Sequence, residues 1–206
     1  MPVVETFFGY VETTRDSLIL LEACRQGSLP RVRRRLQEQE RQLVKSGAVF
    51  CFDENESGIK RWTDGLVWSP SRILGNFLIY RELDDRKSIE DDEQEDNQLI
   101  TSGLTLLSKR QRERALVGSL RNSYRFKPNG LIKKSMSIVV NGVQQHLVSY
   151  YSKEDVLANK FKTPSDIPEL NLIEISADLL RGQNFRIPFF PDDDSTEQIN
   201  KDFNIR

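Results

Sequence analysis

Residues 135–151 constrain the fold more than any other part of the chain. From Met136 to Val140 apolar side chains recur at every second position, and a second apolar-rich run extends from Val143 to Tyr151. Asn141-Gly142 separates the two runs, and these residue types suit a tight turn in which both central positions need positive φ. The sequence therefore predicts a β-hairpin in this region.

An acidic tract divides the chain. Residues 84–98 are nearly free of apolar side chains, so they bury too little surface to offset chain entropy and are expected to be a solvated linker. The predicted organisation is a first segment over residues 1–83, a variable linker over 84–115 that changes from acidic to basic, a second segment over 116–163, and a C-terminal extension over 164–206 that is packed on the domain or partly flexible.

The first segment is expected to begin with two helices. Thr13 stands three residues before Asp16, as in a capping box, and Gly27 is placed to end that helix. Pro30 suits the first turn of a second helix, which Gly47 would end. The apolar side of this second helix would consist of Val32, Leu36, Leu43 and Val44. Its other side would carry Arg31, Arg33, Arg34, Arg35, Arg41 and Lys45.

The elements that follow indicate an α+β fold. A buried strand is predicted over residues 48–52 and a turn over 53–58. Ser69-Pro70 resembles another helix start with apolar residues at helical spacing after it, and a strand over 76–81 is the alternative. A short helix is predicted over 154–161. Helices, a strand and a hairpin in this order favour α+β architecture over a parallel, doubly wound sheet.

Cysteine and histidine usage argues against several classes of enzyme. Cys24 and Cys51 are the two cysteines, too few for a disulfide framework or a zinc site, which indicates a reducing compartment. His146 is the one histidine and is expected to be a hydrogen-bonded structural residue. The spacing of the residues does not indicate a catalytic set of nucleophile, base and acid, and the sequence contains no glycine-rich phosphate-loop motif. We therefore predict no catalytic residue, no cofactor, no metal and no small-molecule substrate.

Membrane association is not expected either. No stretch of the sequence has the length and apolar character needed to cross a bilayer, and the first ten residues lack a basic start followed by a long apolar run. The sequence therefore predicts a soluble protein that is not secreted.

A basic and aromatic sequence stands out in the first segment. Residues 60–64 read Lys-Arg-Trp-Thr-Asp and are bracketed by Gly58 and Gly65, which predicts a loop that can approach a ligand closely. Lysine and arginine beside a tryptophan combine charge that attracts phosphate with a flat stacking face. An arginine on such a loop can also enter a narrow A·T minor groove. The alternative is an ordinary surface loop with Trp62 tucked into the core.

The second segment contains a similar cluster at residues 124–135, where basic and aromatic residues alternate before the hairpin. Acidic charge is concentrated in the linker and the tail, so a chain with a net charge of −1 can still present a positive face. An ordinary solvated face is the alternative interpretation.

Both segments resemble the WOPR family of fungal transcription regulators. The residues that resemble the first conserved box of the family are Gly9-Tyr10, Asp16 to Leu18, Leu21 to Arg25, Ser46 to Phe52, Ser57 to Gly65, Trp68 to Arg72 and Phe77 to Glu82. The residues that resemble the second box are Ser119-Leu120, Tyr124, Phe126-Lys127, Gly130-Leu131, Lys133-Lys134 and His146 to Tyr151. Such an ordered set of motifs over more than half the chain is very specific.

The resemblance implies a single globular DNA-binding domain in which the two boxes interlock around a mostly antiparallel sheet with flanking helices. It also implies a nuclear protein that is not an enzyme, that controls fungal morphology or cell-type programmes and that can have other transcription factors as partners. The implied site is an A·T-rich element of double-stranded DNA, bound through the minor and major grooves. The predicted DNA-binding residues are Arg15, Lys45, Lys60, Arg61, Trp62, Thr63, Arg72, Lys127, Lys133 and Lys134.

Within that set, Arg61 is predicted to enter the minor groove, and the lysines to neutralise phosphates. Thr63 follows Lys60-Arg61-Trp62, a pattern that resembles the sites of cyclic-AMP-dependent protein kinases, so we predict regulatory phosphorylation there. Two other functions remain open from the sequence: a module for RNA or single strands that uses exposed aromatic residues on the hairpin sheet, and an enzyme acting on an anionic ligand.

Overall fold

A computed structural model describes residues 2–84, 111–118 and 124–190. The strands are β1 (Phe7–Phe8), β2 (Ala48–Asp53), β3 (Arg72–Leu74), β4 (Phe77–Arg81), β5 (Ile132–Val140) and β6 (Val143–Tyr151). The helices are α1 (Thr14–Arg25), α2 (Glu54–Ser57), α3 (residues 111–117), α4 (Lys153–Leu157), α5 (Pro168–Asn171) and α6 (Ala177–Leu180), with 3-10 helices at Glu38–Leu43 and Pro164–Asp166. Most of the predicted linker and the acidic tail lie outside the described residues.

The described strands form one six-stranded antiparallel sheet in the order β1-β2-β6-β5-β4-β3. β5 and β6 are the predicted hairpin, and its turn residues Asn141 and Gly142 have φ values of 52° and 79°. β6 also pairs with β2, and β5 with β4, so strands of both predicted segments lie side by side. The predicted α+β fold with an antiparallel sheet is confirmed.

One surface of the sheet, the helix face, carries α1 and the segment after residue 164. Thr13 Oγ1 accepts from the Asp16 amide at 3.1 Å and Asp16 Oδ2 accepts from the Thr13 amide at 2.9 Å, the predicted capping box. The Ser165 hydroxyl donates to the other carboxylate oxygen of Asp16 at 2.6 Å, which ties the later segment to α1. The core on this face includes Val11, Leu18, Leu21, Val49, Met136, Ile138, Leu147 and Leu179.

The opposite surface, the loop face, is covered by chain without long helices. Its core includes Val32, Leu36, Phe50, Phe52, Ile59, Val148 and Tyr150. These residues alternate along β2 and β6 with those of the helix face, as the period of two in a strand requires.

The predicted second helix starting at Pro30 is wrong, because only Glu38–Leu43 is helical there, as a 3-10 helix. The Val32 amide donates to the Cys51 carbonyl at 2.8 Å, which holds this part of the chain against β2. Val32 and Leu36 are buried on the loop face. Their spacing fits an amphipathic helix, but a hydrogen bond to a distant strand decides the local conformation.

Three other expectations change in detail. The predicted turn over 53–58 contains the short helix α2. The helix considered after Ser69-Pro70 is absent, and the strand alternative is confirmed by β4, which pairs with β3 around a turn at Gly75 with φ 59°. The predicted helix over 154–161 is shortened to α4. No helix in the described part of the chain is long and apolar enough to cross a membrane.

Candidate nucleic-acid interface

The Lys60 loop, which we define as residues 58–71, runs over the loop face from α2 to β3. Asp53 Oδ1 accepts from the amides of Asn55 at 2.8 Å and Glu56 at 2.9 Å and so caps α2. Gly58 ends α2 with φ 67°, a left-handed conformation that glycine adopts without strain. Ile59 then enters the core and is 1% exposed. The chain therefore enters the loop in a fixed direction.

Asp64 anchors the middle of the loop. Its Oδ1 accepts from the Leu66 amide at 3.1 Å and from Trp68 Nε1 at 2.9 Å. Its Oδ2 accepts from the Tyr150 hydroxyl at 2.6 Å and from Lys133 Nζ at 3.1 Å. Burial is the largest single effect and raises the pKa of this carboxyl. The hydrogen bonds from Trp68 and Tyr150, with the charge of Lys133 and the Leu66 amide, together outweigh burial, and the pKa of Asp64 is lowered. An ionised carboxylate thus fastens the loop to β5 and β6.

Trp62 is part of this anchor and is only partly exposed. Its ring stacks on Phe52 with centroids 5.3 Å apart and planes 18° apart. Its Nε1 donates to the Tyr150 hydroxyl at 2.6 Å. Of the two interpretations of Trp62, the structure therefore favours a side chain tucked against the core over a free stacking platform.

The outer side of the loop is basic. Lys60, Arg61 and Thr63 are exposed on both sides of the inward-facing Trp62. A further cation, Arg41, reaches the loop, because a Cβ placed on Gly65 would lie 3.0 Å from Arg41 Cδ. The loop therefore presents cationic side chains from a backbone whose position is held by buried contacts.

The lysines of the second cluster have different environments. Lys127 Nζ lies 2.7 Å from Glu82 Oε1, and the Lys127 side chain is 52% exposed. Lys133 is paired with Asp64, is 13% exposed, and has its ammonium 4.4 Å from the centroid of the Trp68 ring. Lys127 is thus available to an external anion, whereas Lys133 mainly supports the Lys60 loop.

Lys134 is buried on the helix face, 2% exposed. Its ammonium donates to the carbonyls of Val11 at 2.9 Å and Glu12 at 2.8 Å and lies 4.0 Å from the centroid of the Phe77 ring. Burial lowers its pKa to about 8. A phosphate cannot reach this ammonium, so we remove Lys134 from the set of predicted DNA contacts. Adjacent residues of a strand face opposite ways, and that rule already separates Lys134 from Lys133.

Three further predicted contacts lie outside the Lys60 loop. Arg15 is on α1, with its guanidinium 3.4 Å from Asn171 Oδ1. Lys45 places its ammonium 5.4 Å from the ring centroid of Phe8, which is on β1 at the opposite edge of the sheet from β3. Arg72 begins β3, opposite Ile79 in the pairing with β4. Arg15 is therefore on the helix face, whereas Arg72 directly follows the last residue of the Lys60 loop.

Sequence reasoning missed the residues that position the loop. Asp64 and Tyr150 lie within the motifs of the family resemblance, but the sequence does not indicate their role. Lys133 and Tyr150, which donate to Asp64, are 69 and 86 positions away from it in sequence. The sequence predicts Arg41 on the basic side of a helix from Pro30, which does not form. No local pattern indicates any of these contacts.

His146 is hydrogen-bonded as expected. Its Nδ1 lies 2.6 Å from Ser137 Oγ, its Nε2 lies 2.9 Å from Glu54 Oε1, and its ring stacks on Phe52 at 4.9 Å. Among the residues for which the structure gives a position, no group of three or more His, Cys, Asp or Glu side chains could hold a metal ion.

Comparison with known proteins identifies the family. The sequence profile described as the Gti1/Pac2 family matches residues 6–152. The chain is 44% identical to "Global transcription regulator sge1" of Gibberella fujikuroi, covering 91% of this chain and 64% of that protein. It is 36% identical to "cAMP-independent regulatory protein pac2" of Schizosaccharomyces pombe, covering 85% of this chain and 77% of that protein. The chain thus spans less than two thirds of the length of sge1.

A solved structure shares the fold. The complex of the WOPR domain of Wor1 in Candida albicans with a 13-base-pair double-stranded DNA has a TM-score of 0.61 and 33% identity, over 86% of this chain and 94% of that one. The predicted resemblance to WOPR regulators is therefore confirmed, and the chain belongs to the Gti1/Pac2 family.

Proposed function

We propose that this chain binds double-stranded DNA sequence-specifically and thereby regulates transcription. The observation that carries the proposal is the Lys60 loop, which presents Lys60 and Arg61 to solvent from a backbone fixed by Asp64. A preformed cationic loop loses little conformational entropy when it binds a polyanion. The similar Wor1 domain was solved with duplex DNA, and the sge1 relatives are named transcription regulators, which supports the same activity here.

Arg61 is the residue that we propose reads the DNA, by entering a minor groove at an A·T step. A·T-rich minor grooves are narrow and have the most negative potential, which favours an inserted guanidinium. Lys60 and Arg41 would contact the phosphates beside it, and Lys127 a phosphate further along the site. Major-groove contact completes the proposed site, and residues Arg15, Lys45 and Arg72 stay as candidates for its periphery.

The test is a binding comparison between Arg61→Ala and wild type on duplexes selected from a random library. We expect Arg61→Ala to cost about 1–3 kcal/mol of binding free energy and to relax the preference at the A·T positions. Arg181→Ala is the matched control, since Arg181 is also exposed but follows α6 on the helix face. An equal loss on every sequence would make Arg61 a phosphate contact only.

Binding of single strands or RNA is less well supported. Phe50, Phe52 and Tyr150 of the hairpin sheet are buried beneath the Lys60 loop, so these three rings are not open to stacked bases. Titration with duplex DNA, single-stranded DNA and RNA of one sequence, followed by tryptophan fluorescence, should rank the duplex first. Tighter binding of either other nucleic acid would favour the alternative.

Thr63 is the regulatory site that we propose within this interface. It is exposed next to Arg61, so a phosphate would add a charge of about −1.5 to −2 beside the residue that enters the groove. Phosphorylation by a cyclic-AMP-dependent kinase should weaken duplex binding, and Thr63→Glu should weaken it in part, while Thr63→Ala should make binding insensitive to the kinase. Protein phosphorylated at Thr63 that binds as tightly as untreated protein would contradict this role.

We also propose that the chain acts in the nucleus, together with other transcription factors, because sequence-specific regulation requires access to chromosomal DNA. Imaging of the tagged protein in fungal cells tests the location. Exclusion from the nucleus under every growth condition would contradict the proposal.

A further inference from the structure

Two aliphatic side chains lie side by side on the loop face, next to the Lys60 loop. Ile73 of β3 is directly opposite Leu78 of β4 in the antiparallel pairing, and the two residues are 55% and 41% exposed. β3 and β4 form a two-stranded hairpin at one edge of the sheet, with Gly75 in its turn. Scattered single apolar residues are normal on a protein surface, whereas an adjoining exposed pair indicates a contact.

The register of the strands places this pair beside the anchor of the Lys60 loop. Leu78 is opposite Ser135 of β5, and Tyr80, two residues further along β4, is opposite Lys133, which donates to the loop carboxylate. Residues two apart in a strand point to the same face and lie about 7 Å from each other. The line of Ile73, Leu78 and Ser135, which we call the aliphatic row, therefore borders the Lys60 loop on the same face.

A duplex held by the Lys60 loop would also meet the aliphatic row. β3 begins at Arg72, directly after the loop, so the loop and the row are adjacent in the chain as well as on the sheet. Neighbouring minor and major grooves of B-DNA are half a helical turn apart, about 17 Å along the axis. The major groove admits a two-stranded ribbon, thymine presents its C5 methyl group there, and a serine hydroxyl can bond to base edges.

We propose that Ile73 and Leu78 contact thymine methyl groups in the major groove next to the minor groove that Arg61 enters, and that Ser135 bonds to a base edge beside them. The inference rests on the proposed DNA binding and assigns its major-groove side to named residues. Contact with the methyl group distinguishes thymine from cytosine, whereas a guanidinium in the minor groove responds to groove width and potential. The two contacts can therefore be separated by experiment.

The test replaces thymine by uracil, which lacks only the C5 methyl group, one position at a time in a duplex that the wild-type chain has selected from a random library. We expect the wild type to lose affinity about fourfold at each contacted thymine, the equivalent of one buried methylene group. Ile73→Ser and Leu78→Ser should each become insensitive to uracil at one of these positions. A wild type that tolerates uracil everywhere, or variants as sensitive as the wild type, would overturn the proposal.

Matched substitutions separate this contact from general effects on binding. Val4→Ser removes an aliphatic side chain of similar exposure, 52%, just before β1 at the opposite edge of the sheet, and should keep full sensitivity to uracil. Ile73→Val keeps a branched aliphatic side chain and should keep it too. Substitution of 2,6-diaminopurine for adenine adds an amino group to the minor groove only, so it should weaken the wild type and Ile73→Ser alike.

The remaining outcomes also decide the matter. Ile73 and Leu78 are exposed, so their serine variants should keep the urea midpoint of the wild type, measured on the same samples. Self-association of the wild type that Ile73→Ser abolishes, with uracil sensitivity unchanged, would assign the aliphatic row to a second copy of the chain and overturn the proposal. A wild type without preference for the selected duplex over a random one would refute sequence-specific binding itself, and this inference with it.

Discussion

At the scale of residues, buried charged side chains fasten loops to the sheet. Among the described residues the buried acids are Asp16, Glu22, Glu40, Asp64 and Glu82, and the buried base is Lys134. Several of them bind backbone groups: Glu40 accepts from the Val3 amide at 2.9 Å and Glu82 from the Leu131 amide at 2.9 Å. A buried charge is stable only when such partners replace water, so each one specifies where a distant loop must lie.

Asp64→Asn tests this view at the Lys60 loop. Asparagine lacks the negative charge that faces Lys133. Its amide nitrogen is a donor, so it would face groups that themselves donate in the wild type. We therefore expect the free energy of unfolding to fall by about 1–3 kcal/mol. Duplex affinity should fall with it, although Lys60 and Arg61 are unchanged, because their backbone is no longer fixed. Tyr150→Phe, which removes one of the four donors to Asp64, is expected to show a smaller loss of affinity. Wild-type affinity in Asp64→Asn would show that the anchor is not needed for binding.

Lys134 predicts a dependence of stability on pH. Burial lowers its pKa from 10.5 to about 8, so between these pH values the unfolded chain holds a proton that the folded protein has lost. The contribution of Lys134 to the free energy of unfolding therefore rises with pH across that interval and falls as the pH drops through about 8. Urea unfolding of wild type and Lys134→Met should show a difference, wild type minus variant, that increases from pH 8 to pH 10.5. A constant or decreasing difference would contradict the burial of an ammonium at this position.

At the scale of elements, the order of strands makes the two predicted segments depend on each other. β2 has β6 as its inner neighbour, and β4 has β5, so the hairpin of the second segment lies between strands of the first. Without the hairpin, the first segment would present unpaired inner edges and an uncovered apolar core.

We therefore expect residues 1–83 and 116–206, co-expressed as separate chains, to form a stable complex. A tag on one fragment should recover the other, and the complex should unfold in one transition with urea. Each fragment expressed alone should be unfolded or aggregated, since half of the sheet cannot bury its apolar faces. Two fragments that fold independently and do not associate would refute the interlocked arrangement.

In the whole molecule, the net charge of the chain does not indicate whether it binds DNA, because charges of opposite sign lie in different places. The chain has 30 basic and 31 acidic residues, yet Lys60 and Arg61 project from a loop whose acidic residue, Asp64, is turned inward and neutralised. A phosphate approaching this surface meets the cations first, which is the local field that attracts DNA.

This arrangement predicts a steep dependence of duplex affinity on salt. Each phosphate contact releases condensed counterions, so Lys60→Ala should reduce the slope of log affinity against log salt by about one unit, and Lys127→Ala should do the same. Arg181→Ala, on the helix face, should leave the slope unchanged. An unchanged slope for Lys60→Ala would place that side chain off the DNA.

The features that depend on neighbouring residues are predictable from the sequence. The hairpin follows from alternation and an Asn-Gly turn, the start of α1 from a capping box, and the exposed basic loop from a short run between glycines. Tertiary contacts set the non-helical path of residues 30–37, the inward orientation of Trp62, the burial of Lys134 and the role of Asp64. Each of these depends on a partner far along the chain: a hydrogen bond to β2, a stack on Phe52, two carbonyls near α1, and donors from β5 and β6. Local sequence preferences amount to tenths of a kcal/mol per residue, whereas a buried polar group without its partner costs about 1–3 kcal/mol, so the distant contacts prevail.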